Sequence, residues 1–231
     1  MNLRTTFLAA AIGTLSLPAM AADLTVKITN LTQGISFTPV LIAGHDSSTT
    51  LFTTGAMASA NLQAMAEGGS IAGLSADVTG AGGVVEENPA GGLLMAGKSA
   101  MADIDTGANT QLSIVAMMLP TNDGFIALNN LTIPTTPGTY TYNLNAYDAG
   151  TEANDEIRGG GMPGVAGFPV PGPLEASVGT GGTGVNATAE GFVHIHRGVL
   201  GDTDATGGVS DIDATAHRWL NPVARVTLTV K

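Results

Sequence analysis

The clearest pattern along the chain is a strict alternation of hydrophobic and polar residues in two segments, one near each end. Residues 24–29 read Leu-Thr-Val-Lys-Ile-Thr, and residues 225–230 read Arg-Val-Thr-Leu-Thr-Val. Side chains of a β-strand point alternately to opposite faces of the sheet, so this period of two predicts strands with one buried face.

Six further segments are rich in hydrophobic and β-branched residues and are bounded by Gly, Pro, Asn or Asp. About eight strands separated by such turns predict an all-β fold, an antiparallel β-sandwich, rather than an alternating α/β enzyme fold. The six segments are Ile35–Ala43, Leu93–Asp105, Leu112–Leu119, Phe125–Ile133, Tyr140–Tyr147 and Gly191–Val199.

Two regions depart from the strand pattern. Met57, Leu62 and Met65 lie near helical spacing before the Gly68-Gly69 pair, which predicts one short helix between Thr54 and Gly68, with a possible extension over Ile71–Val78. The segment Gly159–Gly184, here called the Gly/Pro-rich tract, has no periodicity and is predicted to be a long surface loop. Loops of this length are either functional or mobile, and the sequence leaves both interpretations open.

The N-terminus is typical of a secretory signal peptide. Residues 1–21 contain one charge, Arg4, then an apolar stretch and the small-residue sequence Ala19-Met20-Ala21. The alternative is an apolar first strand. Cleavage after Ala21 would leave a single domain over residues 22–231, and we expect a secreted or periplasmic protein.

Composition and charge narrow the function classes. The chain has 44% hydrophobic residues, enough for one core of ordinary size, and no second apolar run of membrane-spanning length. With no Cys, it has no disulfides, lipoprotein anchor, Cys-ligated zinc or thiol nucleophile. Eight basic and 19 acidic residues give a net charge of −11, which argues against nucleic acid and favours a cation as partner.

The acidic residues are most concentrated after the strand predicted to end at Tyr147. Four carboxylates, those of Asp148, Glu152, Asp155 and Glu156, occur within nine residues. A second oxygen-rich turn, Pro120–Gly124, follows another predicted strand. Ca²⁺ prefers six to eight oxygen ligands from flexible loops, so convergence of the two turns would build a calcium site. The alternative is a solvated acidic turn.

These turns also carry a resemblance to a known family. The chain resembles the spondin N-terminal domain of F-spondin, mindin and short bacterial secreted proteins. The matching stretches are Leu119-Pro120-Thr121-Asn122-Asp123-Gly124-Phe125-Ile126, Tyr147-Asp148-Ala149-Gly150-Thr151-Glu152 and Asn221-Pro222-Val223-Ala224-Arg225-Val226-Thr227-Leu228, with shorter matches at Phe37–Val40 and Gln63–Glu67.

The resemblance implies a C2-like β-sandwich that binds calcium and acts in adhesion or matrix interaction. It implies that Asp123, Asp148 and Glu152 hold the metal, although animal members have Asp at the position of Glu152. Asp155 and Glu156 have no counterpart there and either add ligands or only charge. This chain lacks the Cys residues and repeat domains of the animal proteins, so its partner is left as an unknown protein or glycan surface ligand.

The histidines offer an alternative function. His194 and His196 are two residues apart on a predicted strand and therefore share a face, where two imidazoles could bind Cu²⁺ or Zn²⁺ in a metal-binding or sensing protein. The alternative is that both histidines only satisfy surface hydrogen bonds. A further acidic run, Asp202–Gly208, resembles the start of a calcium loop but lacks its closing Glu, and is predicted to be a solvated turn.

Catalysis has no support from any motif. The sequence lacks a nucleophile elbow, a zinc-protease helix motif and a phosphate-binding loop. Asp123 and Asp148 could be imagined as glycosidase carboxylates, but aromatic residues make up only 4% of the chain. We expect a binding protein and not an enzyme.

Overall fold

A computed structural model describes residues 22–231, so the predicted signal peptide lies outside the described residues. Within the described part, ten β-strands and two α-helices follow one another along the chain. They are β1 (Asp23–Asn30), β2 (Ser36–Phe37), β3 (Leu41–His45), α1 (Ala60–Gly68), α2 (Ala72–Gly80), β4 (Val84–Glu87), β5 (Ser99–Asp105), β6 (Gln111–Leu119), β7 (Gly124–Thr132), β8 (Gly138–Asp148), β9 (His194–Ile195) and β10 (Ala224–Val230).

The strands form two antiparallel sheets that share β8. Residues 138–144 of β8 pair with β10, which continues through β1 to β5, whereas residues 145–148 pair with β7, which continues through β6 and β3 to β4. The short strand β2 adds to β6, and β9 adds to the end of β8. The predicted all-β class with antiparallel pairing is confirmed.

Hydrophobic residues are buried in two layers. The alternate apolar residues of β1 and β10 point into a core between the sheets, where they meet Ile42, Ile114 and Ile126 from the second sheet. The opposite face of the second sheet packs against the helices through Leu62, Met65 and other apolar side chains. The second sheet is therefore covered on both sides, which explains why β6 is buried at all but its first position and reads as a continuous hydrophobic run.

The helical region contains two helices where the sequence predicted one. Helix α1 begins after Ser59, whose hydroxyl accepts a hydrogen bond from the Leu62 amide, and it ends at Gly69 with φ of 71°. Serine at the N-cap and glycine in the left-handed conformation at the C-terminus are ordinary helix boundaries. The segment predicted only as an extension forms a separate helix, α2, because the Gly69 turn redirects the chain.

Three predicted strands need correction. The segment Ile35–Ala43 is divided into β2 and β3, Leu93–Asp105 is shortened to β5, and Gly191–Val199 is reduced to the two residues of β9. A further strand, β4, was not predicted; its four residues lie at the sheet edge beside β3. Short strands of two to four residues carry too little alternation to be recognised by pattern.

The Gly/Pro-rich tract contains a 3-10 helix, Gly172–Ser177, but otherwise has irregular backbone. It packs through Phe168, which is fully buried in a small cluster with Val178, Val199 and Ile212. Buried carboxylates also hold it in place: the Gly164 amide donates to Glu67, and the Gly167 amide donates to Glu152. None of the helices within residues 22–231 has the length and apolar character required to cross a bilayer.

Candidate metal centre

The two oxygen-rich turns meet at one end of the second sheet. Asp123 immediately precedes β7 and Asp148 is the last residue of β8; in the strand pairing, Gly124 lies opposite Asp148. The Ala149 amide donates to the Asp123 carbonyl at 3.1 Å, which extends the pairing into the turns. Antiparallel neighbours therefore bring together two carboxylates that are 25 positions apart in the sequence.

Asp123 is fully buried, and its two carboxylate oxygens have different surroundings. Oδ2 accepts hydrogen bonds from the amides of Thr151 at 2.7 Å and Glu152 at 3.1 Å. Oδ1 has no hydrogen-bond partner within residues 22–231. Burial, followed by the neighbouring charge of Asp148, raises the pKa of Asp123 to about 8. Asp123 thus offers one directed and unpaired oxygen in a site where negative charge is unfavourable without a counter-ion.

Asp148 is buried like Asp123, but both of its carboxylate oxygens have hydrogen-bond partners. Its Oδ1 accepts from the Gly150 amide at 2.8 Å and its Oδ2 from the Asn154 side chain at 2.7 Å. His194 Nδ1 lies 3.7 Å from Oδ1, and His196 Nε2 lies 3.9 Å from Oδ2. The structure therefore places both histidines beside the same carboxylate, although the sequence analysis treated the acidic turn and the histidine pair as separate features.

Gly150 allows the two segments to approach each other. Its φ is 66°, and a Cβ atom built on it would lie 2.4 Å from the Phe192 carbonyl oxygen and 2.6 Å from the Phe192 amide nitrogen. The Gly191 amide donates to the Gly150 carbonyl at 2.8 Å. The Asp-Ala-Gly-Thr sequence thus combines a carboxylate with the one residue type that lets residues 190–194 pack directly against the turn.

Glu152 and Asp155 are organised by Asn122, a residue that the sequence analysis did not select. The Asn122 amide group donates to Glu152 Oε1 at 2.9 Å and to Asp155 Oδ1 at 2.7 Å, and its own oxygen accepts from the Glu156 amide. Glu152 Oε1 also accepts from the Gly167 amide. Burial raises the pKa of Glu152. These contacts tie the acidic turn to the Asp123 turn and to the Gly/Pro-rich tract.

Glu156 points away from Asp123 and Asp148 and fixes a different loop. Its carboxylate accepts hydrogen bonds from the Leu200 and Gly201 amides and from the Ser210 hydroxyl, the last at 2.6 Å. It is buried and has a φ of 59°, unusual for a residue with a side chain. Glu156 therefore acts as an internal acceptor for backbone amides.

His196 differs from His194 in its environment. His196 is 5% exposed and packs edge-on against Trp219, with ring centroids 5.1 Å apart. Its Nδ1 accepts from the Gly198 amide at 3.0 Å, so Nε2 carries the proton in the neutral ring. Burial lowers the pKa of His196 to about 4, against the opposing effect of Asp148. His196 is therefore neutral, and its Nε2–H faces Asp148 from a distance that is too long for a hydrogen bond.

Glu190 was not identified from the sequence. Its carboxylate, one Asp148 oxygen and one His194 ring nitrogen lie within 4.8 Å of one another. No local sequence pattern predicts this contact. Glu190 lies close to Asp148 because the chain next to it, at Gly191, packs against Gly150.

The acidic run Asp202–Gly208 has a structural explanation without a metal. Asp202 accepts from the amides of Asp204, Val209 and Ser210 at 2.7–3.0 Å, and these bonds lower the pKa of its carboxyl. The Asp202 carboxylate therefore stabilises its own turn, in agreement with the predicted turn.

Residues 29–156, which are more than half of the chain, match the Spondin_N family model. The chain belongs to the spondin N-terminal domain family. The matched part of this spondin N-terminal domain contains Asp123, Asp148 and Glu152, whereas Glu190, His194 and His196 follow it. The resemblance seen in the sequence is thereby confirmed. No curated protein matches the chain.

Proposed function

We propose that this spondin N-terminal domain binds Ca²⁺ at Asp123 and Asp148, and that the ion holds the adjacent turns in place for a structural or adhesive interaction. The observation that carries the proposal is the unpaired Oδ1 of fully buried Asp123. A buried acceptor without a donor is costly, and a hard cation is a suitable partner for a carboxylate oxygen next to a second carboxylate.

Some residues of such a site would bind the ion, and others would orient the ligands. Asp123 Oδ1 and the Asp148 carboxylate would hold the ion, while the Thr151 and Glu152 amides keep Asp123 oriented through Oδ2. Glu152 and Asp155, both named from the sequence, each have an oxygen engaged by Asn122. Any ligation by these two residues would use their remaining oxygens. Bound Ca²⁺ would supply the positive charge that offsets the repulsion between the carboxylates.

The test is the change in thermal stability caused by Ca²⁺. A ligand that binds only the folded state stabilises it by about 2.7 kcal/mol at a hundredfold excess over its Kd. We expect the Tm to rise with CaCl₂ and to return with EGTA in the wild type. The rise should be abolished in Asp123→Asn, which keeps an oxygen for the Thr151 and Glu152 amides.

The matched control is Glu87→Gln, which neutralises an exposed carboxylate on the edge strand β4. Its Tm should respond to Ca²⁺ as the wild type does. A wild-type Tm that is the same in CaCl₂ and EGTA would contradict the proposal, and so would a full Ca²⁺ response in Asp123→Asn.

The biological role follows from the family assignment, which supports an interaction-type domain. We infer a binding role rather than an enzymatic one, with a protein or glycan surface ligand as partner. The sequence of residues 1–21 supports a location outside the cytoplasm, either secreted or periplasmic. Binding of the purified protein to a glycan array, with and without EGTA, would test the glycan form of this role and its dependence on calcium.

A further inference from the structure

We propose that Asp148, Glu190 and His194 form a second site, which binds a divalent transition-metal ion of the Zn²⁺ class. One donor atom from each residue lies within 4.8 Å of the other two. A nitrogen and two carboxylates placed around one point form a donor set that suits zinc and its neighbours in the first transition series. The site shares Asp148 with the proposed calcium site but needs neither Asp123 nor Glu152.

The fold itself fixes the three residues relative to one another. Asp148 and His194 are directly opposite in the antiparallel pairing of β8 and β9, which places their side chains next to each other. The turn that carries Glu190 is held by the bond from the Gly191 amide to Gly150, and the Val193 amide donates to the Ala56 carbonyl at 2.8 Å. The donors therefore come from backbone segments that are each fixed by hydrogen bonds.

His194 has the position and hydrogen bonding of a ligand. Its Nδ1 lies 3.7 Å from Asp148 Oδ1 and 3.2 Å from the Phe192 carbonyl. In the neutral imidazole one nitrogen carries the proton and the other keeps a lone pair that can bind an ion. The Phe192 ring, with its centroid 5.4 Å from that of His194, supports the imidazole. The side chain is 21% exposed, so an ion can reach it from solvent. An imidazole nitrogen favours transition metals over Ca²⁺ and Mg²⁺.

A second observation points to the same carboxylate. His196 Nε2 is buried and has no hydrogen-bond partner within residues 22–231, yet it lies 3.9 Å from Asp148 Oδ2. The Nδ1 of His196 accepts from the Gly198 amide, so this ring faces Asp148 with its protonated nitrogen and is not assigned as a ligand. His194 is the proposed ligand. The hydrogen bonding separates the roles of two histidines that the sequence pattern treated as equivalent.

The charge of the site is also suited to a cation. Asp148 and Glu190 supply two carboxylates to the site. Within the described residues, the Asp148 carboxylate contacts the Gly150 amide, the Asn154 side chain and the two histidines, and it has no Lys or Arg ion pair. A divalent ion would neutralise the pair of carboxylates.

The experiment is a calorimetric titration of ZnCl₂ into untagged protein, since a histidine tag would itself bind zinc. We expect one Zn²⁺ per chain in the wild type. His194→Gln removes the imidazole nitrogen, and Glu190→Gln replaces a carboxylate with a neutral amide. Each change should weaken Zn²⁺ binding at least tenfold. Glu87→Gln is the matched control for loss of one carboxylate and should bind as the wild type does.

The same variants separate this inference from the calcium proposal. His194→Gln and Glu190→Gln should keep the Ca²⁺-induced rise in Tm, whereas Asp123→Asn should keep Zn²⁺ binding. Failure of the wild type to bind Zn²⁺, or binding that His194→Gln leaves unchanged, would overturn the transition-metal site whatever the Ca²⁺ result. A far-ultraviolet circular dichroism spectrum identical to wild type shows that each variant is folded.

Discussion

Replacing Gly150 with alanine tests whether the close approach of two chain segments builds the candidate metal centre. The substitution adds one methyl group at a backbone φ of 66°, where the new Cβ would overlap the Phe192 backbone at 2.4–2.6 Å. The Gly150 amide, which donates to Asp148, is retained in alanine. Any loss of stability therefore comes from backbone conformation and from steric overlap.

The two costs can be estimated separately. An alanine in the left-handed region costs about 1–2 kcal/mol relative to glycine. Overlap with a backbone that is itself held by hydrogen bonds adds about 1–3 kcal/mol, as for other overpacked sites. We expect Gly150→Ala to lower the free energy of unfolding by about 2–5 kcal/mol.

Gly91 provides a matched control for the conformational cost. Its φ is 69°, close to that of Gly150, but a Cβ atom there would have nothing within 4 Å. Gly91→Ala should therefore lower the free energy of unfolding only by the conformational cost. Urea denaturation of both variants in EDTA measures the two free energies, and their difference isolates the overlap with Phe192.

The outcome can contradict the reasoning directly. If Gly150→Ala is destabilised by no more than Gly91→Ala, then the approach of Phe192 to the turn does not constrain the structure. The contact that brings Glu190 and His194 to Asp148 would then lose its explanation.

Two further predictions concern buried titratable groups away from the metal centre. Burial lowers the pKa of His217 below 6.5, and the smaller effect of Asp213 opposes this shift. The unfolded chain therefore takes up the proton at a higher pH than the folded chain does. The free energy of unfolding should fall as the pH drops below 6.5. His217→Gln should reduce this slope in urea denaturation between pH 5 and 7, and an unchanged slope would assign the pH dependence to other groups. Glu156→Gln should cost about 2–4 kcal/mol, because an amide group replaces the carboxylate that accepts from two backbone amides and the Ser210 hydroxyl. The exposed Glu87→Gln should change stability by less than about 0.5 kcal/mol, and equal effects of the two variants would refute the role given to Glu156.

The sequence predicted the longer strands, which have either a regular alternation or an unbroken hydrophobic run. Strands β1 and β10 follow their alternation throughout. Strand β6 was recognised by its continuous hydrophobic character, which in the structure reflects burial on both faces. The division into α1 and α2, and the short edge strand β4, depend on single turns and on pairing with neighbours, which a one-dimensional pattern does not record.

The candidate site was predictable only in part, for a related reason. The Asp123 turn precedes β7 and the Asp148 turn follows β8, its antiparallel neighbour, so their proximity could be anticipated from strand order. The pairing of β8 with β9 joins residues that are 46 positions apart, and no local signal connects His194 with Asp148. Sequence also cannot distinguish a carboxylate with an unpaired oxygen, such as Asp123, from one that is occupied by backbone amides, such as Glu156.

The anchoring of the Gly/Pro-rich tract has a consequence for how this protein can vary. Glu67 and Glu152 hold the tract through the backbone amides of Gly164 and Gly167, a group that every residue except proline possesses. Side chains close to the anchors, such as those of Met162 and Val165, are 66% and 49% exposed and take no part in these hydrogen bonds. Met162 and Val165 can therefore be substituted without loss of the hydrogen bonds that hold the loop. The tract is a place where the surface chemistry can change while the β-sandwich stays the same.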